Sequence, residues 1–290
     1  MKKPYLADPK EARRVLGAHD TQARKKYGQN FLIDESVLMG IVDAADLSRD
    51  DFVVEIGPGI GTLTQYLSVA AGHVCAVEID AKLLPVLEET LSGFGNVRVI
   101  HADILKTDLM ALAQEENGGR PFKVCANLPY YITTPILMEL LKSRAPITQM
   151  TVMVQKEVAD RMLAGPGNKE YGALTLAVQY YTEPKMNFIV HPHSFLPQPG
   201  VDSAVVTLKL REEPPFPVKD ENMLFDLIRA SFNQRRKKLT NGIVNFAKFD
   251  FTKEEAEAAL ASCGMKADIR GEALSLVEFG RLADALADLR

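Results

Sequence analysis

Hydrophobic residues in the first half of the chain fall alternately into short continuous runs and into helically spaced positions. Each run has the length of a strand that is buried on both faces of a sheet. The runs are residues 52–56, 74–78, 97–100, 122–126 and 150–154. Between them, apolar side chains recur every three or four positions, and one such helix is predicted from Asp34, a suitable N-cap, to Leu47. Strands that alternate with helices predict a doubly wound, mostly parallel sheet.

The pattern changes toward the C-terminus. Met186–Val190 and Ala204–Leu210 are two strand-like segments without a helix between them, which predicts an antiparallel addition that brings the sheet to seven strands. A proline-rich break follows at Glu212–Pro217, and every later apolar pattern is helical. We therefore predict an α/β domain over 27–211, a small all-helical domain over 212–290, and a basic N-terminal extension over 1–26.

Composition and charge narrow the possible functions. The 290 residues are 47% hydrophobic and have a formal net charge of -4, which disfavours a protein that simply coats nucleic acid. The positive charge is instead concentrated in two segments, Lys2–Lys26 and Leu227–Lys248, and the second has six basic residues and no acidic one. The sequence contains no signal peptide and no window of about 18 apolar residues, so we expect a cytoplasmic protein without a membrane span.

Three predicted strand ends each have a residue suited to one part of a nucleoside. After the first of these strands, Gly57-Pro58-Gly59-Ile60-Gly61 permits a tight turn and a close approach of ligand to backbone. Glu78 ends the second strand, where a carboxylate can accept both ribose hydroxyls, and Asp103 follows the third, where it can accept a hydrogen bond from an adenine amine. A nicotinamide dehydrogenase stays an alternative, although the glycine spacing differs from that of dinucleotide-binding proteins.

Asn127-Leu128-Pro129-Tyr130 ends the fourth strand and is the most informative tetrapeptide of the sequence. The N6 amine of adenine is a poor nucleophile because its lone pair is delocalised into the ring. The side-chain oxygen of Asn127 and the backbone carbonyl of Leu128 or Pro129 can accept the two amine hydrogens and aim the nitrogen lone pair at a methyl sulfonium. Tyr130 offers a flat face for a base turned out of its helix. This chemistry needs no metal.

Several motifs together resemble those of the ribosomal RNA adenine N6-methyltransferases. They are Lys25–Leu32 (KKYGQNFL), Glu55–Gly61 (EIGPGIG) and Asn127–Tyr130 (NLPY). Two further segments, Ser194–Val205 (SFLPQPGVDSAV) and Phe232–Leu239 (FNQRRKKL), are similar to the bacterial small-subunit dimethyltransferases known for kasugamycin sensitivity. The resemblance implies a class I S-adenosylmethionine-dependent fold. Tyr131 departs from it, because many relatives have Asn at this position.

The resemblance also implies roles for individual residues. Residues expected to contact S-adenosylmethionine are Gln29, Asn30, Leu32, Gly57, Gly59, Glu78, Ile79, Asp103, Ile104 and Asn127. Residues expected to hold the target adenine are Asn127, Leu128, Pro129, Tyr130 and, on the other face of the base, Phe195. Residues expected to contact RNA phosphates, from the surface of a helix, are Arg235, Arg236, Lys237 and Lys238.

The implied substrate is a pair of adjacent adenosines in the 3′-terminal hairpin loop of small-subunit rRNA, each methylated twice within the 30S particle, by an enzyme that we expect to be a monomer. Three alternatives stay open at this point. The chain could be a resistance-type methyltransferase of large-subunit rRNA or a DNA adenine methylase. It could also act mainly as a ribosome assembly factor, with binding as its main task.

Overall fold

A computed structural model describes residues 4–19 and 29–290 of the chain. Lys25–Gly28 of the first motif, and part of the predicted N-terminal extension, lie outside these residues. The helices are α1 (Pro9–Ala18), α2 (Glu35–Ala45), α3 (Thr62–Ala70), α4 (Leu84–Leu91), α5 (Leu109–Asn117), α6 (Thr133–Lys142), α7 (Lys156–Leu163), α8 (Ala173–Tyr181), α9 (Glu221–Asn233), α10 (Leu239–Val244), α11 (Lys253–Ser262) and α12 (Leu276–Ala287). The strands are β1 (Phe31–Leu32), β2 (Phe52–Ile56), β3 (His73–Glu78), β4 (Val97–His101), β5 (Phe122–Asn127), β6 (Ile147–Gln155), β7 (Thr182–Val190), β8 (Phe195–Leu196) and β9 (Ser203–Leu210).

Seven strands form one sheet in the order β4-β3-β2-β5-β6-β9-β7. The first five of this order are parallel neighbours, and β9 pairs antiparallel with β6. Every residue of β2 is buried, as expected for a strand covered on both faces. The α/β class, the parallel sheet and the late antiparallel addition predicted from the sequence are all confirmed. Because β2, β3 and β5 are parallel, their carboxyl ends lie at one edge of the sheet.

The chain divides into two compact units. One unit comprises 1–159 and 183–210, and the other comprises 160–182 and 211–290. The division at 210/211 lies one residue before the predicted boundary at 211/212, whereas 160–182 belongs with the C-terminal helices instead of the α/β domain. The reason is visible in aromatic packing: Tyr181 of α8 stacks on Phe225 of α9 at 5.4 Å, and Tyr180 meets Phe216 edge-on at 5.9 Å.

The N-terminal segment 4–19 packs on the α/β unit. Leu6, Ala12 and Val15 are fully buried in a cluster with apolar residues of α4. The side-chain oxygen of Gln65 on α3 accepts hydrogen bonds from the backbone N–H groups of Tyr5 and Leu6, at 2.9 and 3.2 Å. This part of the predicted basic extension is therefore an element of the fold as well as a charged segment.

Candidate active site

Two adjoining cavities lie at the carboxyl edge of the parallel strands, within the α/β unit. The larger has an empty volume of about 750 Å³ and the smaller about 420 Å³, each including the solvent at its mouth. Both are lined by Gly57, Ile79, Pro129 and Tyr131. The larger also contains the predicted residues Gln29, Asn30, Leu32, Gly59, Glu78, Asn127, Leu128 and Tyr130. The smaller contains Asp103 and Ile104.

The glycine loop after β2 forms the floor of both cavities. Gly57, Gly59 and Gly61 have φ angles of +67°, +60° and +90°, in the left-handed region that residues with a Cβ adopt only under strain. A Cβ atom on Gly59 would lie 3.1 Å from the ring of Phe31. The sequence Gly-x-Gly-x-Gly is thus required by the backbone itself, which brings the start of α3 close to the larger cavity.

Glu78 is held in place at the end of β3. Its Oε1 atom accepts a hydrogen bond from the Asp80 N–H at 2.7 Å, and its Oε2 atom accepts one from the Gly59 N–H at 3.4 Å. Burial raises the pKa of this carboxyl above its usual range, while the two N–H donors favour the charged form. The side chain is therefore oriented before any ligand arrives, with the cavity on its accessible side.

Glu55 belongs to the glycine motif, but the motif alone assigns no role to its side chain. It is 1% exposed, and burial raises the pKa of its carboxyl to about 8. Its Oε2 atom and the hydroxyl of Thr62 are buried without a hydrogen-bond partner among the described residues, and both side chains line the larger cavity. A buried polar atom without a partner can be satisfied by an ordered water or by a ligand with amino or hydroxyl groups. These atoms therefore fit the polar, amino-acid end of S-adenosylmethionine.

Asp103 and two isoleucines define the smaller cavity. The Asp103 carboxylate caps the turn 104–106 by accepting the Leu105 N–H at 3.1 Å, which fixes its orientation. Ile79 and Ile104 contribute apolar surface to the same cavity. A carboxylate beside apolar walls suits the edge and the faces of an adenine ring.

The side chain of Asn127 has a defined orientation. Its Nδ2 atom donates a hydrogen bond to the backbone carbonyl of Asn30 at 3.0 Å. Since a carbonyl only accepts, the amide nitrogen must face Asn30, and the Oδ1 atom points the other way. The segment that precedes α2 thus orients a side chain at the end of β5, 97 residues further along the chain.

The neighbouring backbone decides between two predicted acceptors. The Pro129 carbonyl accepts the Ile132 N–H at 3.2 Å and the Thr133 hydroxyl at 2.9 Å, at the start of α6. Both of its lone pairs are therefore engaged. The Leu128 N–H donates to Met153 of β6 at 3.0 Å, which fixes this peptide beside the cavity. Of the two candidates, the Leu128 carbonyl is the better acceptor for a target amine.

Tyr130 and Tyr131 are consecutive but differ in environment. The Tyr130 hydroxyl shares a hydrogen bond of 2.6 Å with Ser203, and burial raises its pKa above the usual value. Tyr131 is 57% exposed at the rim of both cavities. Both tyrosines therefore line the larger cavity, and Tyr131, at which this sequence departs from many relatives, adds a second aromatic side chain to its wall.

Phe195, predicted to stack on the target base, is buried in the core. Its side chain is 2% exposed, packs in the hydrophobic cluster with Leu32 and Leu38, and does not line either cavity. The cause is the two-stranded ribbon of β1 and β8, in which Phe195 pairs with Leu32 and Leu196 with Phe31. Both members of the Phe195–Leu32 pair are packed in the core. The stacking of Phe195 on a target base therefore stays a prediction, since its ring lines neither cavity in this structure.

The basic run 235–238 is also placed differently from the prediction. It was expected on a helix, but α9 ends at Asn233 and Lys238 is the N-cap of α10, so the run forms a turn. Gln234 has already left the helical conformation, and the Leu239 N–H at the start of α10 bonds to the Ile269 carbonyl at 2.8 Å. Arg235 donates to Glu272 at 2.8 Å and to the Asn168 carbonyl at 3.2 Å. Arg236, Lys237 and Lys238, called here the basic turn, are exposed.

No group of three or more His, Cys, Asp or Glu side chains in residues 4–19 and 29–290 is arranged to hold a metal ion. Within the same residues, no helix is long and apolar enough to cross a membrane.

Comparison with known proteins places this geometry in a family. The profile described as Ribosomal RNA adenine dimethylase matches residues 20–279. The Ribosomal RNA small subunit methyltransferase A of Lachnoclostridium phytofermentans is 55% identical over 97% of this chain and 98% of that protein. The protein of the same name from Geobacillus thermodenitrificans is 50% identical over 98% of both chains.

Two solved structures are also similar. A dimethyladenosine transferase from Plasmodium falciparum is 27% identical with a TM-score of 0.72, and the match covers 87% of this chain and 95% of that chain. The 23S rRNA methyltransferase ErmE is 28% identical with a TM-score of 0.67, and the match covers 89% of this chain and 100% of that chain. The class I methyltransferase fold and the resemblance read from the motifs are confirmed, and the chain belongs to the ribosomal RNA adenine dimethylase family.

Proposed function

We propose that this chain transfers methyl groups from S-adenosylmethionine to the N6 amine of two adjacent adenosines in the 3′-terminal hairpin loop of small-subunit rRNA, twice at each adenosine. The observation that supports this chemistry best is the fixed orientation of Asn127, whose side-chain oxygen is turned away from Asn30 at the end of β5. Two relatives that match nearly the whole chain at 55% and 50% identity are both named Ribosomal RNA small subunit methyltransferase A, which favours this target over large-subunit rRNA.

S-adenosylmethionine, when bound, supplies an electrophilic methyl group on a positively charged sulfur. We assign the ribose hydroxyls to Glu78 and the adenine amine to Asp103. The amino-acid end belongs to the glycine loop, where the orphaned oxygens of Glu55 and Thr62 gain partners. Gln29, Asn30 and Leu32 form the wall of the larger cavity next to these groups. The carboxylates and apolar side chains therefore match each part of this molecule.

Two acceptors on the protein activate the target nitrogen. The Oδ1 atom of Asn127 and the Leu128 carbonyl accept the two amine hydrogens, which favours a pyramidal nitrogen with its lone pair directed away from the base. After the first transfer only one of those hydrogens remains. Asn127 keeps its orientation because Asn30, and not the substrate, fixes it. The second transfer therefore starts from the same arrangement of side chains.

No general base is needed, because the proton can leave after the methyl group has been transferred. The Tyr130 hydroxyl is unsuited to this role, since its raised pKa keeps it protonated at neutral pH. We assign to its ring the stacking of the extruded adenine, a contact worth about 1–3 kcal/mol per base in single-stranded nucleic-acid binding.

We assign RNA binding to the C-terminal unit, and within it to the basic turn. Exposed cations beside the phosphate backbone provide salt-dependent affinity that does not depend on sequence. Arg235 is bonded within its own unit, so we assign it a structural role instead. We expect the 30S particle to be the physiological partner, a monomeric enzyme, and a cytoplasmic reaction.

Transfer of labelled methyl groups tests the proposal on three substrates: unmodified small subunits, large-subunit rRNA and duplex DNA. Dimethyladenosine in small-subunit rRNA alone supports it. Label in large-subunit rRNA would keep the chemistry and move the target. Tight particle binding without transfer to any substrate would contradict the proposal and favour an assembly factor.

A further inference from the structure

A buried serine outside the cavities contacts the proposed stacking residue. Ser203 is fully buried, and its hydroxyl is 2.6 Å from the hydroxyl of Tyr130. Ser203 does not line either cavity, so it cannot contact a ligand there directly. Any effect of this serine on the reaction must pass through Tyr130.

Ser203 is held more firmly than the tyrosine that it contacts. It is the first residue of β9 and pairs with Gln155 of β6, inside the seven-stranded sheet. The carbonyl of the preceding residue, Asp202, accepts the Lys156 N–H at 2.9 Å. Tyr130, in contrast, belongs to the loop between β5 and α6. The hydrogen bond therefore ties a loop side chain to the rigid sheet.

The hydrogen bond with Ser203 restricts the orientation of the Tyr130 ring because it is made at the hydroxyl. A tyrosine ring in a loop can rotate about two side-chain torsions, and a hydrogen bond at the far end of the ring restricts both. Tyr130 is half-buried, where an unpaired hydroxyl costs free energy, so the bonded orientation is preferred. Stacking on an extruded base requires such a preorganised ring face.

We propose that Ser203 is a positioning residue for methyl transfer: it fixes the ring of Tyr130 at the angle at which a target adenine stacks. This inference rests on the proposed function, which assigns base stacking to Tyr130. Neither the sequence motif nor the family resemblance gives Ser203 this task.

A double-mutant cycle tests the proposal. The variants are Ser203→Ala, Tyr130→Phe and the combination, assayed for methyl transfer to unmodified small subunits. The matched control is Thr207→Val, which also removes a hydroxyl from β9, one that bonds to Ala44 and Asn187. Affinity for S-adenosylhomocysteine and the melting temperature are measured for every variant.

We expect each single variant to lower kcat/KM by about five- to tenfold, because either change breaks the same hydrogen bond. The double variant should be within about twofold of either single one. The fall should be mainly in kcat, since the ring remains available for binding. Affinity for S-adenosylhomocysteine should stay within about twofold of the wild type, and Thr207→Val should keep full activity.

Two results would overturn the inference. One is a Ser203→Ala variant as active as Thr207→Val. The other is a double variant whose loss equals the product of the two single losses, since independent effects multiply. A wild-type enzyme that fails to methylate the particles would instead contradict the proposed function, so the two failures are distinguishable. If Ser203→Ala does not fold, Tyr130→Phe alone still decides: unchanged kcat/KM would refute the role of the bond.

Discussion

Replacing Asn127 by aspartate or by alanine separates the two contacts that its side chain makes. Alanine removes both the bond to Asn30 and the proposed acceptor. Aspartate keeps an acceptor oxygen toward the substrate but places its second oxygen against the Asn30 carbonyl, where the wild type has a hydrogen bond of 3.0 Å. Two acceptors at that distance repel each other, so the cavity wall formed by Gln29 to Leu32 must shift.

The magnitudes follow from these contacts. A lost neutral hydrogen bond costs about 1 kcal/mol, so alanine should weaken S-adenosylhomocysteine binding by up to about fivefold. The opposed oxygens in Asn127→Asp add about as much again, and about 2 kcal/mol corresponds to a roughly 30-fold weaker affinity. Methyl transfer by Asn127→Ala should fall by about 10²–10³, the usual result of removing one preorganised polar group.

Isothermal titration with S-adenosylhomocysteine and single-turnover methyl transfer measure the two quantities. Asn187→Asp is a matched control, because Asn187 also donates through its amide, to Thr207 at 2.8 Å, and does not line the cavities. Wild-type affinity of Asn127→Asp for S-adenosylhomocysteine would refute the link between Asn127 and Asn30. Wild-type transfer by Asn127→Ala would refute its role as an acceptor.

Three further predictions concern the glycine loop, the buried carboxyl and the C-terminal unit. Gly59→Ala should weaken S-adenosylhomocysteine binding at least tenfold and lower the melting temperature, because Gly59 has a positive φ and an added Cβ would crowd the ring of Phe31. The control Gly95→Ala should do neither, because the space around Gly95 is open. The pKa of Glu55 is raised to about 8, so this carboxyl ionises in the unfolded chain at a lower pH than in the folded one, and the wild type loses stability as pH rises from about 4.5 to 8. The difference in melting temperature between Glu55→Gln and the wild type should therefore shift in favour of the variant across that pH window and stay constant above it. A difference that is constant over the whole window would contradict the raised pKa. Removing the three charges of the basic turn should make particle binding less dependent on salt concentration and leave cofactor affinity unchanged. Arg235→Ala should mainly lower the melting temperature, because Arg235 is bonded to Glu272 and Asn168. Equal effects of the two changes on the salt dependence would contradict the separate roles proposed for them.

The sequence alone predicted the position of a site residue where that position follows from the order of the strands. Glu78 and Asn127 end parallel strands and Asp103 follows another, so the sheet brings all three to one edge whatever the details of packing. The glycine spacing was informative for a related reason, since only backbones with positive φ need glycine at alternate positions. The site was therefore predictable as a group of residues at strand ends.

Other features depend on packing that the sequence pattern does not encode. Phe195 lies in a two-residue strand, too short for alternation to reveal which side chain faces the core. The basic run was expected on a helix, yet α9 ends at Asn233, before the run begins. α7 and α8 were not predicted, and α8 joins the C-terminal unit through its tyrosines. The orphaned oxygen of Glu55 becomes visible only when its surroundings are known.

The most direct test of the account is nucleoside analysis of small-subunit rRNA after reaction of unmodified particles with the enzyme and S-adenosylmethionine. The wild type should produce N6,N6-dimethyladenosine at two adjacent positions. Asn127→Ala should produce little or none under the same conditions, although its affinity for S-adenosylhomocysteine falls by no more than about fivefold. Methylation of another base or another atom, or equal dimethyladenosine from both proteins, would contradict the claim that the Asn127 site activates the adenine amine.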